Sequence, residues 1–332
     1  MIEHAGLATP WFFLGVFLAA SFLMIWRLES MSANGMEGTV LGTLVMPYCS
    51  GIGNLLFAFI LGMKGGSGAE VLTNCLVNNV TNLTLLIGLP AIFWGMNIIP
   101  SKEPAAKKKK KKGKESRDFK PQLNRLSLLL TLLAVLFFTG ATWALGRDGV
   151  ISQTDGMVLI GLFLFWQCIH VFDVLKNNVQ QNKSFGLMVF VDLVLLAVGS
   201  YAVYLSTDWL VNWVSNIHTG FISAKQIGWL SGWLDVLPNA LLAFYYAWRK
   251  RPEVVYASQV GDGHICIPLC IGIFALYKPI AVPPFFQIGI FILCGATVLH
   301  LLFVAIFGKL PRLVGFVLTA AYGVFLYKGL IK

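Results

Sequence analysis

Two apolar stretches of the chain share one pattern: Gly53-Asn54-Leu55-Leu56-Phe57-Ala58-Phe59 and Pro238-Asn239-Ala240-Leu241-Leu242-Ala243-Phe244. A short basic turn follows each stretch, with Lys64 in the first copy and residues 249–251 in the second. After each turn comes a second apolar helix that is rich in small and polar residues, over 74–82 and 258–266. Because helix, basic turn and polar helix recur in the same order, we interpret the two stretches as copies of one repeat.

The composition places the chain in a membrane. Of its 332 residues, 57% are hydrophobic and only 12% are charged, whereas about a quarter of the residues of a soluble protein are charged. The apolar runs are continuous rather than alternating, which excludes a transmembrane β-barrel and predicts an all-α membrane protein. Breaks at Pro, Gly and charge clusters divide the runs into ten transmembrane helices, near residues 10–29, 38–63, 69–99, 124–145, 155–175, 185–206, 228–248, 254–279, 284–307 and 311–330.

The order of these spans predicts how the two copies are oriented. The first copy occupies spans two and three and the second occupies spans seven and eight, so five spans separate equivalent helices. An odd separation inverts the second copy in the membrane, and two inverted five-helix repeats are an architecture of secondary transporters. We expect four segments: 1–100 with spans one to three and the first repeat motif at 45–90, 101–123 as a lysine-rich loop, 124–175 with spans four and five, and 176–332 with spans six to ten and the second motif at 230–275.

The basic residues predict which side of the protein faces the cytoplasm. If the lysine-rich loop with its run from Lys107 to Lys112 is cytoplasmic, 19 Lys and Arg residues lie inside and six lie outside. This bias follows the positive-inside rule and favours a multi-pass protein of the plasma (inner) membrane with both termini outside. Topology thus explains the net charge of +10; anionic lipid is a candidate partner of the loop, and we expect no nucleic-acid partner. The loop up to Gln122 has almost no large apolar residue, so we predict that it is disordered.

The two copies resemble the repeats of the sodium/calcium exchanger (cation/calcium antiporter) family. In that family each repeat carries a GTSLPE-like segment and, one helix later, a GNxxGSNxxN-like segment. Here residues 237–239 read Leu-Pro-Asn where the family has Leu-Pro-Glu. In the first copy, Asn74, Asn78, Asn79 and Asn82 fit the asparagines of the second segment. The resemblance implies a sodium/calcium-exchanger-like fold and cation antiport by alternating access.

The departures from the family pattern decide which ion we expect. The family's two repeat glutamates, its main calcium ligands, correspond to Asn54 and Asn239 here, and its Ser-Asn or Ser-Asp pair in the second repeat corresponds to Asp262-Gly263. Calcium prefers about six to eight oxygen ligands with carboxylates among them, so two amides in place of two carboxylates should weaken its binding. Amide oxygens with one carboxylate suit a monovalent ion better. Asp262 is the first choice for that carboxylate and Asp235 is the second.

These residues together give the expected site and function. We expect no catalytic residue, because no HExxH or GxSxG motif is present, and no cofactor apart from a transported cation such as sodium or calcium. The predicted function is antiport of an inorganic cation, either monovalent or weakly bound calcium; the alternative is a transport-inactive membrane scaffold with the exchanger fold, which the missing glutamates allow. The candidate ion-binding residues are Ser50, Asn54, Asn78, Asn79, Asn82, Asp235, Asn239 and Asp262, of which Asn54, Asn239 and Asp262 are the candidate metal ligands.

Overall fold

Ten helical spans make up the described part of the chain. The computed structural model describes residues 8–33, 46–98, 115–179, 187–261 and 263–331. Helices α1 to α6 are Ala8–Ala33, Met46–Met63, Gly68–Val80, Leu86–Trp94, Glu115–Leu145 and Gln153–Val179. Helices α7 to α12 are Leu187–Ser215, Ile227–Trp248, Pro252–Gly261, Ile271–Tyr277, Phe286–Ile306 and Arg312–Leu326. Span three contains α3 and α4, span eight contains α9, the turn Gly263–Ile265 and α10, and each other span contains one of these helices, with a π-helical end at Tyr327–Ile331 in span ten.

The spans have the length and surface of membrane helices. Among the described residues, eight helices are long and apolar enough to cross a membrane, and spans two and five contribute the shorter apolar segments Gly51–Met63 and Gln153–Ile169. Large apolar side chains such as Trp11, Phe165 and Leu313 are exposed, as expected for a surface that lipid covers. The prediction of an all-α membrane protein with about ten transmembrane helices is confirmed.

Spans three and eight are each interrupted by a π-helical segment, Thr81–Leu85 in the first and Cys266–Cys270 in the second. The hydroxyls of Thr81 and Thr84 donate hydrogen bonds to carbonyls one turn earlier, and such bonds compete with the helical ladder. In the second segment, Pro268 lacks the backbone N–H that an α-helix requires. Segments of this kind often occur at functional sites.

Two short antiparallel strand pairs join the halves of the chain. Strand β1 (Met96–Asn97), after span three, pairs with β4 (Lys309–Leu310), before span ten. Strand β2 (Val150–Ile151), before span five, pairs with β3 (Ile280–Ala281), after span eight. Spans three and eight, which carry the polar repeat segments, are called the polar spans. In each strand pair, the polar span of one half is tied to the last span of the other half. The two strand pairs are therefore counterparts of each other, as expected for two inverted repeats.

The helices that these strands connect approach each other closely at glycines. A Cβ on Gly315 in span ten would lie 2.7 Å from the carbonyl oxygen of Gly88 in span three. On the other side, a Cβ on Gly156 in span five would lie 3.0 Å from the carbonyl oxygen of Gly272 in span eight. Small residues let helix backbones pack closely in membranes. The two crossings are therefore counterparts in the two repeats.

Contacts between the turns at the ends of the spans agree with a chain that crosses the membrane ten times. The Nζ atom of Lys278, after span eight, donates to the carbonyl oxygen of Gly65, after span two, at 2.7 Å. Lys64 in the same turn forms an ion pair with Asp208 at the end of span six. In a ten-span arrangement the ends of spans two, six and eight lie on one side of the membrane, which these contacts require.

Spans one and six pack on each other around a small core of their own. Its buried side chains are Phe17, Ala20, Met24, Met31, Leu196 and Val203. Arg27 of span one also pairs with Asp192 of span six at 3.4 Å, with both side chains largely buried. Most of the other buried apolar side chains of the described residues form one larger core around the repeat helices.

Spans four and six extend furthest beyond their predicted boundaries, with a start at residue 115 rather than 124 and an end at residue 215 rather than 206. Helix α5 begins at Glu115, so the prediction of a disordered loop up to Gln122 is wrong for residues 115–122. The helix continues past its apolar part through Glu, Arg, Lys and Gln, which are good helix formers, and through Pro121, which lacks a backbone N–H. Residues 99–114, with the lysine run, lie outside the described residues.

Candidate cation site

Helix α2 packs two glycines against spans seven and eight. A Cβ on Gly51 would lie 3.4 Å from Cγ2 of Ile265 in span eight, and a Cβ on Gly53 would overlap the carboxylate of Asp235 in span seven. The next residue, Asn54, is fully buried. Within the described residues, neither the nitrogen nor the oxygen of its amide has a hydrogen-bond partner. Leaving a buried polar group without a partner costs about 1–3 kcal/mol, so this amide is available to a further ligand.

Asp235 places a carboxylate beside this helix. Its side chain on α8 is 5% exposed and accepts a hydrogen bond from Nδ2 of Asn74 at 3.1 Å. The same nitrogen donates to Oγ of Ser231 at 3.0 Å. Ser231 and Asp235 are one helical turn apart, so one face of α8 presents both to span three. These contacts connect a carboxylate of the second repeat to an asparagine of the first.

The other asparagines of span three lie close together on its buried surface. Nδ2 of Asn82 donates to Oδ1 of Asn78 at 2.8 Å, which is the contact that their four-residue spacing predicts. Nδ2 of Asn79 donates to the carbonyl oxygen of Cys75 at 2.7 Å. A Cβ on Gly263 would lie 3.1 Å from Oδ1 of Asn79. The Asn79 amide oxygen therefore faces span eight.

Asn239 lies on α8, one turn after Asp235, and is 2% exposed. Its backbone carbonyl accepts a hydrogen bond from Nε2 of Gln259 in span eight at 3.3 Å. Asn239, Asp235 and Gly53 line a crevice whose other walls include side chains of span one. The crevice has room for about one water molecule. The polar face of α8 therefore borders a space of ionic dimensions.

The amide oxygens of Asn54, Asn74, Asn79 and Gln259 accept no hydrogen bond within the described residues. All four side chains are buried, and they come from spans two, three and eight. Carbonyl and amide oxygens suit hard cations. No group of three or more His, Cys, Asp or Glu side chains in the described part of the chain is arranged to hold a metal ion. The available ligands are thus mostly neutral oxygens.

Two of the predicted site residues have no described side chain. Asp262, the first choice for a charged ligand, lies outside the described residues, and only the helical backbone of Ser50 is described. Of the other candidates, Asp235 is bonded to span three and lies against α2 just before Asn54. Asn78 and Asn82 are hydrogen-bonded to each other along span three.

The π-helical segments set the alignment of the two repeats. Each begins 27 residues after the asparagine of its repeat, at residue 81 after Asn54 and at residue 266 after Asn239. The same register pairs Asn74 with Gln259 and Ser50 with Asp235. The second repeat thus carries a carboxylate at the position where the first carries a hydroxyl.

A comparison with known protein families identifies the family to which this chain belongs. A sequence model described as sodium/calcium exchanger protein matches residues 7–172 and 191–328, which include both repeats. The chain belongs to the sodium/calcium exchanger family. It is therefore an integral, multi-pass membrane protein and a cation antiporter, and not an enzyme.

Solved structures of the sodium-calcium exchanger NCX_Mj have a similar fold. One, soaked with 2.5 mM Na+ and 10 mM Sr2+, matches with a TM-score of 0.66 and 20% identity over 96% of each chain. Another, soaked with 100 mM Na+ and 10 mM Sr2+, matches with a TM-score of 0.66 and 22% identity over 96% of each chain. No curated protein matches the sequence significantly. The exchanger fold with two inverted repeats, as predicted, is confirmed.

Two polar residues of this exchanger were not predicted to belong to the site. Ser231 precedes Asp235 by four residues, and that spacing on a helix was a usable signal. Gln259 is the counterpart of Asn74, but the register of the second repeat becomes certain only when both π-helical segments are known. Gln259 contacts the backbone of the predicted candidate Asn239. Ser231 accepts from Asn74, which fits the family pattern but was not among the candidate ligands.

Proposed function

We propose that this exchanger transports a monovalent cation, with sodium as the first candidate, at a site between spans two, three, seven and eight. The observation that carries the proposal is the fully buried Asn54 amide, which has no hydrogen-bond partner within the described residues. The residue before it contacts the Asp235 carboxylate. Inverted-repeat transporters bind ions between such helices and expose the site alternately to each side of the membrane.

The charge of the ligand set supports a monovalent ion. Asn54 and Asn239 stand where the family carries glutamates, and Asp235 is the one carboxylate among the candidate ligands that the structure describes. Two unit charges about 4 Å apart attract each other by about 4 kcal/mol at an effective dielectric constant of about 20. A divalent ion loses about twice that attraction for each carboxylate that an amide replaces. Calcium should therefore bind weakly, whereas one carboxylate balances one monovalent cation.

Each candidate residue has a role in this proposal. Asp235 is the charged ligand, and Ser50 contributes a hydroxyl from the equivalent position of the first repeat. Asp262 is a candidate for a second carboxylate or for a group that couples transport to protons, and a second carboxylate would strengthen calcium binding. The coupling ion is sodium or a proton. The neutral oxygen ligands are Asn54, Asn78, Asn79, Asn82 and Asn239.

The same proposal includes the orientation of the protein. The antiporter lies in the plasma (inner) membrane, and the lysine-rich loop that precedes α5 is cytoplasmic, because most basic residues then lie inside. The lysine run at residues 107–112 then faces an anionic leaflet, to which it adds electrostatic attraction.

Flux measurements with the full chain in liposomes test the proposed ion. We expect radioactive sodium to enter sodium-loaded vesicles by exchange, and calcium to enter much more slowly. Asp235→Asn should reduce sodium uptake at least about tenfold, since it removes the charge that balances the ion. Asp208→Asn is the matched control, because Asp208 is partly exposed and pairs with Lys64 at the edge of the bundle.

A gain-of-function variant tests the alignment behind the proposal. Asn54→Glu combined with Asn239→Glu restores both family carboxylates and should increase calcium uptake. Calcium uptake by the native protein at micromolar concentration, with no monovalent flux, would overturn the choice of ion. If no cation moves and Asp235→Asn changes nothing, the transport-inactive scaffold becomes the better reading.

A further inference from the structure

A buried histidine outside the proposed ligand set contacts both polar spans. His300 on α11 is fully buried. Its Nε2 atom lies 2.7 Å from the carbonyl oxygen of Leu83, in the π-helical segment of span three. Its Nδ1 atom lies 2.9 Å from the hydroxyl of Tyr256, in span eight. His300 thus bridges the two helices that carry Asn74 and Gln259.

The partners of His300 define its tautomer. A carbonyl oxygen can only accept a hydrogen bond, so Nε2 must carry the proton that faces Leu83. In a neutral imidazole Nδ1 is then an acceptor, and the Tyr256 hydroxyl donates to it. Each ring nitrogen therefore has one defined role, and the orientation of the ring is determined by the two helices that it joins.

The carbonyl that His300 holds belongs to the π-helical segment that carries Asn82, one of the proposed ligands. Leu83 follows Asn82, whose amide donates to Asn78. The same segment is held at its beginning by Thr81, whose hydroxyl donates to the Val77 carbonyl and accepts from the Tyr322 hydroxyl of span ten, 3.4 Å away. A π-helical turn has fewer of the hydrogen bonds that stabilise an α-helix in one register. External bonds of this kind are therefore suited to fix the positions of the side chains on it.

We propose that His300 is a positioning residue for the cation site: by donating to the Leu83 carbonyl it holds the π-helical segment of span three in the register that places Asn78 and Asn82. This inference rests on the proposed function, since it assigns those two amides to the site. His300 itself does not touch the ion. Its loss should weaken ion binding more than it slows the transport cycle.

Two substitutions at this position separate the two hydrogen bonds. The amide nitrogen of Gln reaches about as far as Nε2 of His, so His300→Gln retains a donor for Leu83. The shorter side chain of Asn reaches only about as far as Nδ1, so His300→Asn retains the contact with Tyr256 and loses the one with Leu83. Tyr256→Phe removes only the second contact. Thr297→Val is the matched control, because the Thr297 hydroxyl is buried on the same helix and bonds to Leu293 within it.

The measurements are the sodium KM and the maximal rate of uptake in liposomes, and the sodium concentration that half-saturates thermal stabilisation of the purified protein. We expect His300→Asn to raise KM and the half-saturating concentration about tenfold, which is the effect of losing one buried hydrogen bond if the loss falls on the ion-bound state. His300→Gln, Tyr256→Phe and Thr297→Val should stay within about threefold of the native protein, with similar maximal rates.

The result that overturns this inference is equal behaviour of His300→Asn and His300→Gln, or a loss of stability with an unchanged sodium KM. Either outcome would make His300 a packing residue only. A native protein that shows neither sodium flux nor sodium-dependent stabilisation would instead contradict the proposed function. The binding measurement does not require flux, so it tests His300 even if transport is slow.

Discussion

Because residue 53 of α2 is a glycine, the Asp235 carboxylate occupies space that a side chain at this position would fill. A Cβ at this position would overlap the carboxylate, so Gly53→Ala should displace Asp235 from Asn74. Overpacked substitutions cost about 1–3 kcal/mol, and we expect both a lower melting temperature and a weaker affinity for sodium. Gly161→Ala is the control, because nothing lies within 4 Å of a Cβ there. Native stability and sodium affinity in Gly53→Ala would mean that the carboxylate does not need this space.

Single residues were predictable where a polar side chain interrupts an apolar helix. Asn54, Asn78 and Asn239 stand out in the sequence for that reason, and the structure buries all three. Asp235 was only the second choice, because its position before Leu-Pro-Asn gives no sign that the opposite helix carries Gly53. Which buried polar group meets which other group depends on helix packing, and a single sequence does not specify it.

At the scale of elements, substitutions at the two glycine crossings should destabilise the protein to a similar extent. Gly315→Ala brings a Cβ to 2.7 Å from the Gly88 carbonyl oxygen, and Gly156→Ala brings one to 2.6 Å from Cβ of Ala275. Each substitution should force the helices apart and destabilise the protein by about 1–3 kcal/mol. Gly323→Ala, on the same helix as Gly315, has open space around it and should be neutral or stabilising. Thermal unfolding in detergent measures all three; tolerance of Gly315→Ala would contradict the close crossing.

Elements were predictable to the extent that hydropathy defines them. The apolar runs gave the ten spans because about 20 apolar residues are needed to cross the hydrocarbon layer. The π-helical segments were not foreseen. They contain threonine hydroxyls at 81 and 84 and Pro268, but Thr139 and Thr142 make the same hydrogen bonds in a regular α-helix. The start of α5 at Glu115 was missed because hydropathy reports the membrane boundary and not the end of a helix.

At the scale of the whole molecule, the inverted repeat explains why the site draws on both halves. Each polar span is tied to the last span of the other half, by the strand pairs β1 with β4 and β2 with β3 and by a glycine crossing. Neither half therefore encloses its own polar helix. The bond between Asn74 and Asp235 joins the halves at the candidate site in the same way. The sequence showed the repeat, but this exchange is a tertiary feature that follows only from the packed structure.

The inverted arrangement also predicts which turns a reagent outside the cell can reach. With the lysine-rich loop in the cytoplasm, the turn after span two lies outside and the turn after span seven lies inside, because five crossings separate them. Ser67→Cys and Arg249→Cys place a thiol on each turn at exposed positions. An impermeant maleimide should label Ser67→Cys in intact cells and Arg249→Cys only after the cells are permeabilised. The unsubstituted protein gives the background from the native cysteines. The reverse pattern would put the lysine-rich loop outside. Labelling of both turns from the same side of the membrane would contradict the inverted repeat, because inversion requires an odd number of crossings between the two turns.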